Sequence, residues 1–176
     1  MALTPAIQVE IEGRGITIDD YLSEKKTIAF LNKHKHEIIL FPGFIASDAE
    51  GNTLTLGRGG SDLTASLLAN YSDANKLEIW SDVSGMYTAN PKLVSQATPI
   101  RKLSYQEAME LSHFGAKVIY PPTLQPLIKK NIPVNIKNTF DSNARGTRID
   151  RKGSKKSDGQ IVKGVSHIEN VALLNV

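Results

Sequence analysis

Residues 55–65 read Thr-Leu-Gly-Arg-Gly-Gly-Ser-Asp-Leu-Thr-Ala. Gly57, Gly59 and Gly60 let the backbone approach a ligand closely, and Arg58, Ser61 and Asp62 set a cation, a hydroxyl and a carboxylate among them. That combination suits an anion. Leu63, Leu67, Leu68 and Tyr71 follow at the spacing of one buried helix face, which predicts a helix over 61–71 with Ser61 or Asp62 as its N-cap. The free amides and the dipole at such a terminus favour a carboxylate or a phosphate. A glycine turn that merely closes a loop is the competing reading. Neither Gly-x-x-x-x-Gly-Lys-Ser/Thr nor a Gly-x-Gly-x-x-Gly between strand and helix occurs in the chain.

A second polar group, Ser81 and Asp82, comes directly after the apolar run at 77–80. Open α/β sheets place ligand groups just past the C-terminal ends of their strands. A simple turn is the alternative. Lys117 follows Gly115 near the end of a predicted helix, where it could equally meet the terminal carbonyls. Trp80 and Tyr87 read first as core, Trp80 in particular as sheet packing. His113 and His167 have no companions at metal-ligand spacing, so no metal site is expected.

The elements that must position these groups follow from apolar spacing. A short strand is expected at 7–11, a helix at 21–35 on the apolar positions Tyr21, Leu22, Ile28 and Leu31, and strands at 37–41 and 53–56. Further strands are expected at 77–80 and 133–139 and a helix at 123–131. Ser104 and Glu107 have the spacing of a capping box that starts another helix running toward Gly115. A strand-like run closes the chain at 171–176. Alternation of strands and helices argues for an α/β fold, a mainly parallel sheet flanked by helices.

At 176 residues the chain can bury a real core, and with no cysteine it forms no disulfide. No apolar run nears the length of a membrane span, and no signal peptide is evident, so a soluble, cytoplasmic protein is expected. The net charge of +3 is concentrated at 145–156, where Arg145, Arg148, Arg151, Lys152, Lys155 and Lys156 face one Asp150. No aromatic is interleaved to stack on bases, so this reads as a solvated basic linker at 151–160, and no nucleic-acid partner is expected. Gly153, Ser154, Ser157 and Gly159 mark that linker as flexible.

Several segments, in order, resemble the C-terminal half of the aspartate kinases of the amino-acid kinase family. They are Pro42-Gly43-Phe44-Ile45-Ala46, the 56–64 turn, the run from Glu78 through Ser81-Asp82-Val83-Ser84-Gly85-Met86-Tyr87 to Pro91, the 104–111 helix start, Phe114-Gly115-Ala116-Lys117-Val118, and Ile136-Lys137-Asn138-Thr139. The wording of 104–118 and of the tail at 162–166 is most similar to bifunctional aspartokinase and homoserine dehydrogenase enzymes. The resemblance implies a three-layer α/β sandwich truncated at its N-terminus. It makes 1–150 the nucleotide-binding part of the catalytic domain and 161–176 the start of a truncated regulatory ACT domain. The Lys-Phe-Gly-Gly-type phosphate loop of such enzymes is absent, so poor activity of this chain alone is expected.

The resemblance also implies roles. Arg58, Gly60 and Ser61 would hold L-aspartate, and Asp62 and Lys117 would be catalytic. Ser81, Asp82, Val83, Tyr87, Lys92 and Lys117 would contact ATP, with Mg²⁺ as the accompanying ion and a homo-oligomer as the full-length state. Lys92 stands where many relatives have arginine, and Asn90 replaces a common aspartate. Tyr120-Pro121-Pro122 departs from the usual His-Pro-Arg and carries no role. The alternatives are another amino-acid kinase acting on a different carboxylate or carbamate, and a non-catalytic regulatory module.

Overall fold

The computed structural model of the chain describes residues 6–12, 15–113, 118–154 and 162–167. It divides into two compact units, residues 1–77 with 122–132 and residues 78–121 with 133–176.

In the first unit, β1 (Val9–Glu12) and β2 (Gly15–Ile18) pair antiparallel, as do β3 (Ile45–Ser47) and β4 (Thr53–Thr55). A parallel bridge between Gln8 and Ser47 joins the two ladders. Ile7, Val9 and Ala46 from this layer pack on Leu67 and Tyr71 of α2 (Gly60–Tyr71), with Leu63 and Leu68 partly buried against them. The predicted apolar face of that helix is therefore the one that is buried. Removing each such side chain from water is worth about 1.5–3 kcal/mol. A short 3-10 turn (Pro121–Leu124) leads into α4 (Gln125–Lys130), which packs on α2. There Asn70 Nδ2 donates to the Pro126 carbonyl at 2.5 Å, and Lys130 pairs with Asp73 at 2.8 Å.

Helix α1 (Asp20–Lys33) forms with Asp19 as N-cap, its carboxylate accepting the Leu22 N–H at 2.8 Å, but the apolar positions that mark the helix are not its buried ones. Ser23 and Thr27 are buried, whereas Tyr21 is 72% exposed and Leu22 and Ile28 are also exposed. The physical reason is a polar contact: Ser23 Oγ accepts the Gln8 N–H at 2.8 Å, and small hydroxyl side chains let the helix lie close to that strand. The run at 37–41 is irregular rather than a strand, with Ile38 and Leu40 exposed; no described strand hydrogen-bonds to it.

The second unit holds a four-stranded sheet in the order β5-β7-β8-β6, made of β5 (Leu77–Ser81), β6 (Lys102–Ser104), β7 (Val134–Asn138) and β8 (Thr147–Asp150). β6 runs parallel to β8 and β7 antiparallel to it, so the sheet is mixed. Leu103, Val134, Ile136 and Ile149 are fully buried, and Ala108 of α3 (Tyr105–His113) joins them. The capping box is present: Ser104 N–H donates to Glu107 Oε2 at 2.7 Å and Glu107 N–H to Ser104 Oγ at 3.2 Å.

The stretch after β8 is fixed where it is described. Asp150 Oδ1 accepts the Lys152 and Gly153 N–H groups at 3.0 and 3.1 Å, and Gly153 is buried against Ser104 and Glu107. Residues 155–160 and the strand-like run at 171–176 lie outside the described residues. No helix among the described residues is long and apolar enough to cross a membrane.

Candidate functional site

Two groups of candidate residues emerge, one in each unit. In the first, Gly57 to Gly60 form a tight turn closed by the Gly60 N–H to the Gly57 carbonyl at 3.0 Å. Gly59, with φ of 68°, is the N-cap of α2, which corrects the expected cap at Ser61 or Asp62. A left-handed backbone at this position favours glycine, and no side chain closes the helix end. The helical ladder begins with the Leu63 N–H on the Gly59 carbonyl, which leaves the Ser61 and Asp62 amides outside it.

The Pro42-Gly43-Phe44 loop lies against this turn. Phe44 N–H donates to Thr64 Oγ1 at 3.1 Å and its carbonyl accepts the Leu56 N–H at 2.8 Å. A Cβ at Gly60 would fall 2.9 Å from the Phe44 ring, so the closeness of loop and helix depends on that glycine. Arg58 and Ser61 are exposed, and Arg58 makes no ion pair among the described residues. Asp62 is half-buried, again without a partner, and burial pushes its carboxyl above the ordinary range. A free cation, two open amides and an unpaired carboxylate thus share one turn.

In the second unit, β5 ends at Ser81, whose carbonyl accepts the Thr139 N–H at 2.8 Å and whose hydroxyl accepts the Val83 N–H at 3.4 Å. Asp82 is exposed just beyond. Ser84 Oγ accepts from Asn138 Nδ2 at 2.9 Å, so the loop is tied to β7. From there residues 86–88 run beside 98–100, with Ile100 N–H on the Met86 carbonyl at 2.7 Å and Tyr87 bridged to Pro99. Tyr87 is half-buried in the wall of a cavity of 390 Å³ that also takes in Ser84, Arg101, Asn143, Arg145 and Gly146.

Thr147 holds that cavity together. Its hydroxyl accepts the Met86 N–H at 2.8 Å and donates to the Ile100 carbonyl at 2.6 Å, joining two walls at the start of β8. Gly146, with φ of 67°, has no room for a Cβ against the Ile136 carbonyl. Sequence reasoning missed Thr147, Arg101 and Arg145; the Arg145-Gly146-Thr147 turn was the signal that could have drawn attention to them.

The remaining expectations divide. Lys92 is exposed in the 89–97 loop, where the Asn90 side chain caps its N–H at 3.0 Å, and it does not line the cavity. Trp80 is 45% exposed, with Lys137 Nζ 4.8 Å from its ring centre, so it is a cation–π platform rather than sheet packing. Lys117 lies outside the described residues. No group of three His, Asp or Glu side chains gathers among the described residues.

A sequence model of the amino acid kinase family matches residues 4–138. The bifunctional aspartokinase/homoserine dehydrogenase of Haemophilus influenzae is 46% identical over 151 residues, 86% of this chain and 18% of that protein. Lysine-sensitive aspartokinase 3 of Escherichia coli is 42% identical over 131 residues, covering 74% of this chain and 29% of that one. The crystal structure of E. coli aspartokinase III in complex with aspartate and ADP aligns with a TM-score of 0.80 at 35% identity, over 87% of this chain and 34% of its own. The chain thus spans about a fifth of the length of the bifunctional relatives it matches.

Proposed function

The chain belongs to the amino acid kinase family, and on that premise we propose that it is the C-terminal part of the catalytic domain of an aspartate kinase, followed from residue 161 by the start of a regulatory domain. The reaction is transfer of the γ-phosphoryl group of ATP to the side-chain carboxylate of L-aspartate. The bond from γ-phosphorus to the bridging oxygen breaks, a bond to the carboxylate oxygen forms, and ADP and an acyl phosphate leave. The observation that carries this reading is the turn at 57–62, where an unpaired Arg58 stands beside open helix amides.

The acceptor carboxylate, with an ordinary pKa of about 3.9, is ionised at pH 7 and needs no general base. The obstacle is bringing an anion to a polyphosphate, so the protein's work is positioning and charge. Arg58 grips one carboxylate of aspartate in a bidentate pair, and the amide N–H groups of Ser61 and Asp62 add donors on the same side. Ser81, Asp82, Val83 and Tyr87 take the nucleoside, and Lys117 and Lys92 serve the phosphates. A magnesium ion carried by nucleotide phosphates requires one or two protein carboxylates rather than a cage. The unpaired, half-buried Asp62 is a donor of that kind. Such an ion would neutralise phosphate oxygens, and Asp62 would orient it or a lysine rather than abstract a proton.

Calorimetric titration of the purified chain with Mg-ADP tests this. Saturable binding that weakens in both Asp82→Ala and Lys117→Ala is the expected result. Binding indifferent to both substitutions would overturn the nucleotide assignments. Absence of binding here and in a longer chain carrying the preceding residues of the domain would overturn the kinase reading.

A further inference from the structure

Arg101 and Arg145 face a common space from two different parts of the second unit. Arg101 immediately precedes β6, Arg145 immediately precedes Gly146, and both line the 390 Å³ cavity with Ser84 and Tyr87. Neither guanidinium makes an ion pair with a described residue, in contrast to the nearby Arg148 and Lys102, which share Asp150 at 3.0 and 3.2 Å. The one carboxylate lining the cavity, Asp141, accepts the Ala144 N–H at 3.2 Å and so serves its own loop. The walls are also fixed in advance by the Thr147 hydroxyl and by Gly146. Two free guanidiniums on a braced, polar cavity make an anion receptor, and the planar fork of arginine matches phosphate oxygens in pairs.

We propose that Arg101 and Arg145 form a subsite for a phosphoryl group in the Tyr87 cavity, distinct from the contacts assigned to Lys92 and Lys117. The phosphoryl group belongs either to a nucleotide or to a free phosphate anion. Its assignment to a nucleotide rests on the kinase reading, whereas the anion subsite itself does not. Arg145 thereby becomes a ligand contact rather than one more solvated charge of the basic stretch at 145–156.

The test titrates the purified chain with pyrophosphate, ADP and adenosine, in the parent, the Arg101→Gln/Arg145→Gln double variant, the Arg148→Gln control and Asp82→Ala. Circular dichroism verifies that each variant is folded. The double variant is expected to weaken pyrophosphate by at least about tenfold while Arg148→Gln leaves it unchanged, since charge-assisted hydrogen bonds are lost only in the former. Raising the salt from about 0.05 M to about 0.5 M should shrink that difference, because the guanidiniums are exposed. Pyrophosphate that fails to bind, or binds parent and double variant alike, overturns the subsite. ADP weakened by Asp82→Ala but not by the double variant, with pyrophosphate still dependent on the arginines, keeps the subsite, assigns it to free phosphate anions and leaves the nucleotide reading in place. Pyrophosphate that depends on the arginines while ADP ignores Asp82→Ala keeps the subsite, assigns it to free phosphate anions, and removes the nucleotide reading instead.

Discussion

Asp62 occupies a position that costs the fold something. Its carboxylate is half-buried with no cation or donor beside it among the described residues, and burial pushes its pKa up. A folded state that binds this proton more tightly than the unfolded one gains stability as the pH falls through the raised value, and lacks that gain at neutral pH. Asp62→Asn should therefore be at least as stable as the parent at pH 7, to within about 0.5 kcal/mol, and should show a flatter dependence of stability on pH between 7 and 4. Urea unfolding at a series of pH values measures both. Loss of several kcal/mol at neutral pH would mean that the carboxylate has a structural partner. The types of the turn residues were legible because arginine, serine and aspartate among glycines say anion on their own. The cap was not legible, because serine and aspartate are strong N-cap residues by type, and only the backbone reveals that Gly59 holds the left-handed position that ends the turn.

Elements position these residues through a few side-chain hydrogen bonds that apolar periodicity does not encode. Thr147 begins a four-residue strand and its hydroxyl serves both the Met86 N–H and the Ile100 carbonyl. Thr147→Val keeps the shape and leaves the buried Met86 N–H and the part-buried Ile100 carbonyl without this partner, so it should cost about 1–3 kcal/mol and loosen the Tyr87 cavity. Chemical denaturation together with ADP titration would detect the two effects. Glu107 acts similarly at the start of α3. Burial alone would raise its pKa, but Lys163 at 2.5 Å and the Ser104 N–H outweigh that and hold it below the ordinary glutamate range. Its contribution is thus present above about pH 4.3 and is lost as the pH falls through the lower folded value. Glu107→Gln should be less stable at pH 7 and should lose less on acidification, which thermal melts at pH 7 and pH 3 would reveal. The capping box was readable because both partners sit three residues apart. The ladders of β6 and β8 were not, since strands of three and four residues carry too little alternation. At α1, apolar residues marked the helix correctly but not its inner face, because a Ser23 hydrogen bond decided which side approaches β1.

On the scale of the whole molecule, the functional candidates divide as the cores do. Ile7, Val9, Ala46, Leu67 and Tyr71 form the core of the unit that carries Arg58, Ser61 and Asp62, whereas Leu103, Val134, Ile136 and Ile149 centre the unit that carries Ser81, Asp82, Val83 and Tyr87. Residues 122–132 return to the first unit through contacts of α4 with α2, such as Asn70 to Pro126, that join positions 56 apart in sequence. The division yields a prediction that separates the two ligands without needing turnover. Amide hydrogen exchange slows where a ligand orders or covers exposed backbone and is unchanged where it does not reach. Under the proposed assignments, Mg-ADP should slow exchange at 82–88, 99–101 and 141–146. L-Aspartate should slow it at 57–63, where the Ser61 and Asp62 amides stand outside the helical ladder and a bound carboxylate would accept from them. Protection by ADP confined to 57–63, or by aspartate confined to the Tyr87 cavity, would exchange the two assignments; protection by neither ligand in a chain whose α2 amides remain slow would mean that the glycine turn is architectural.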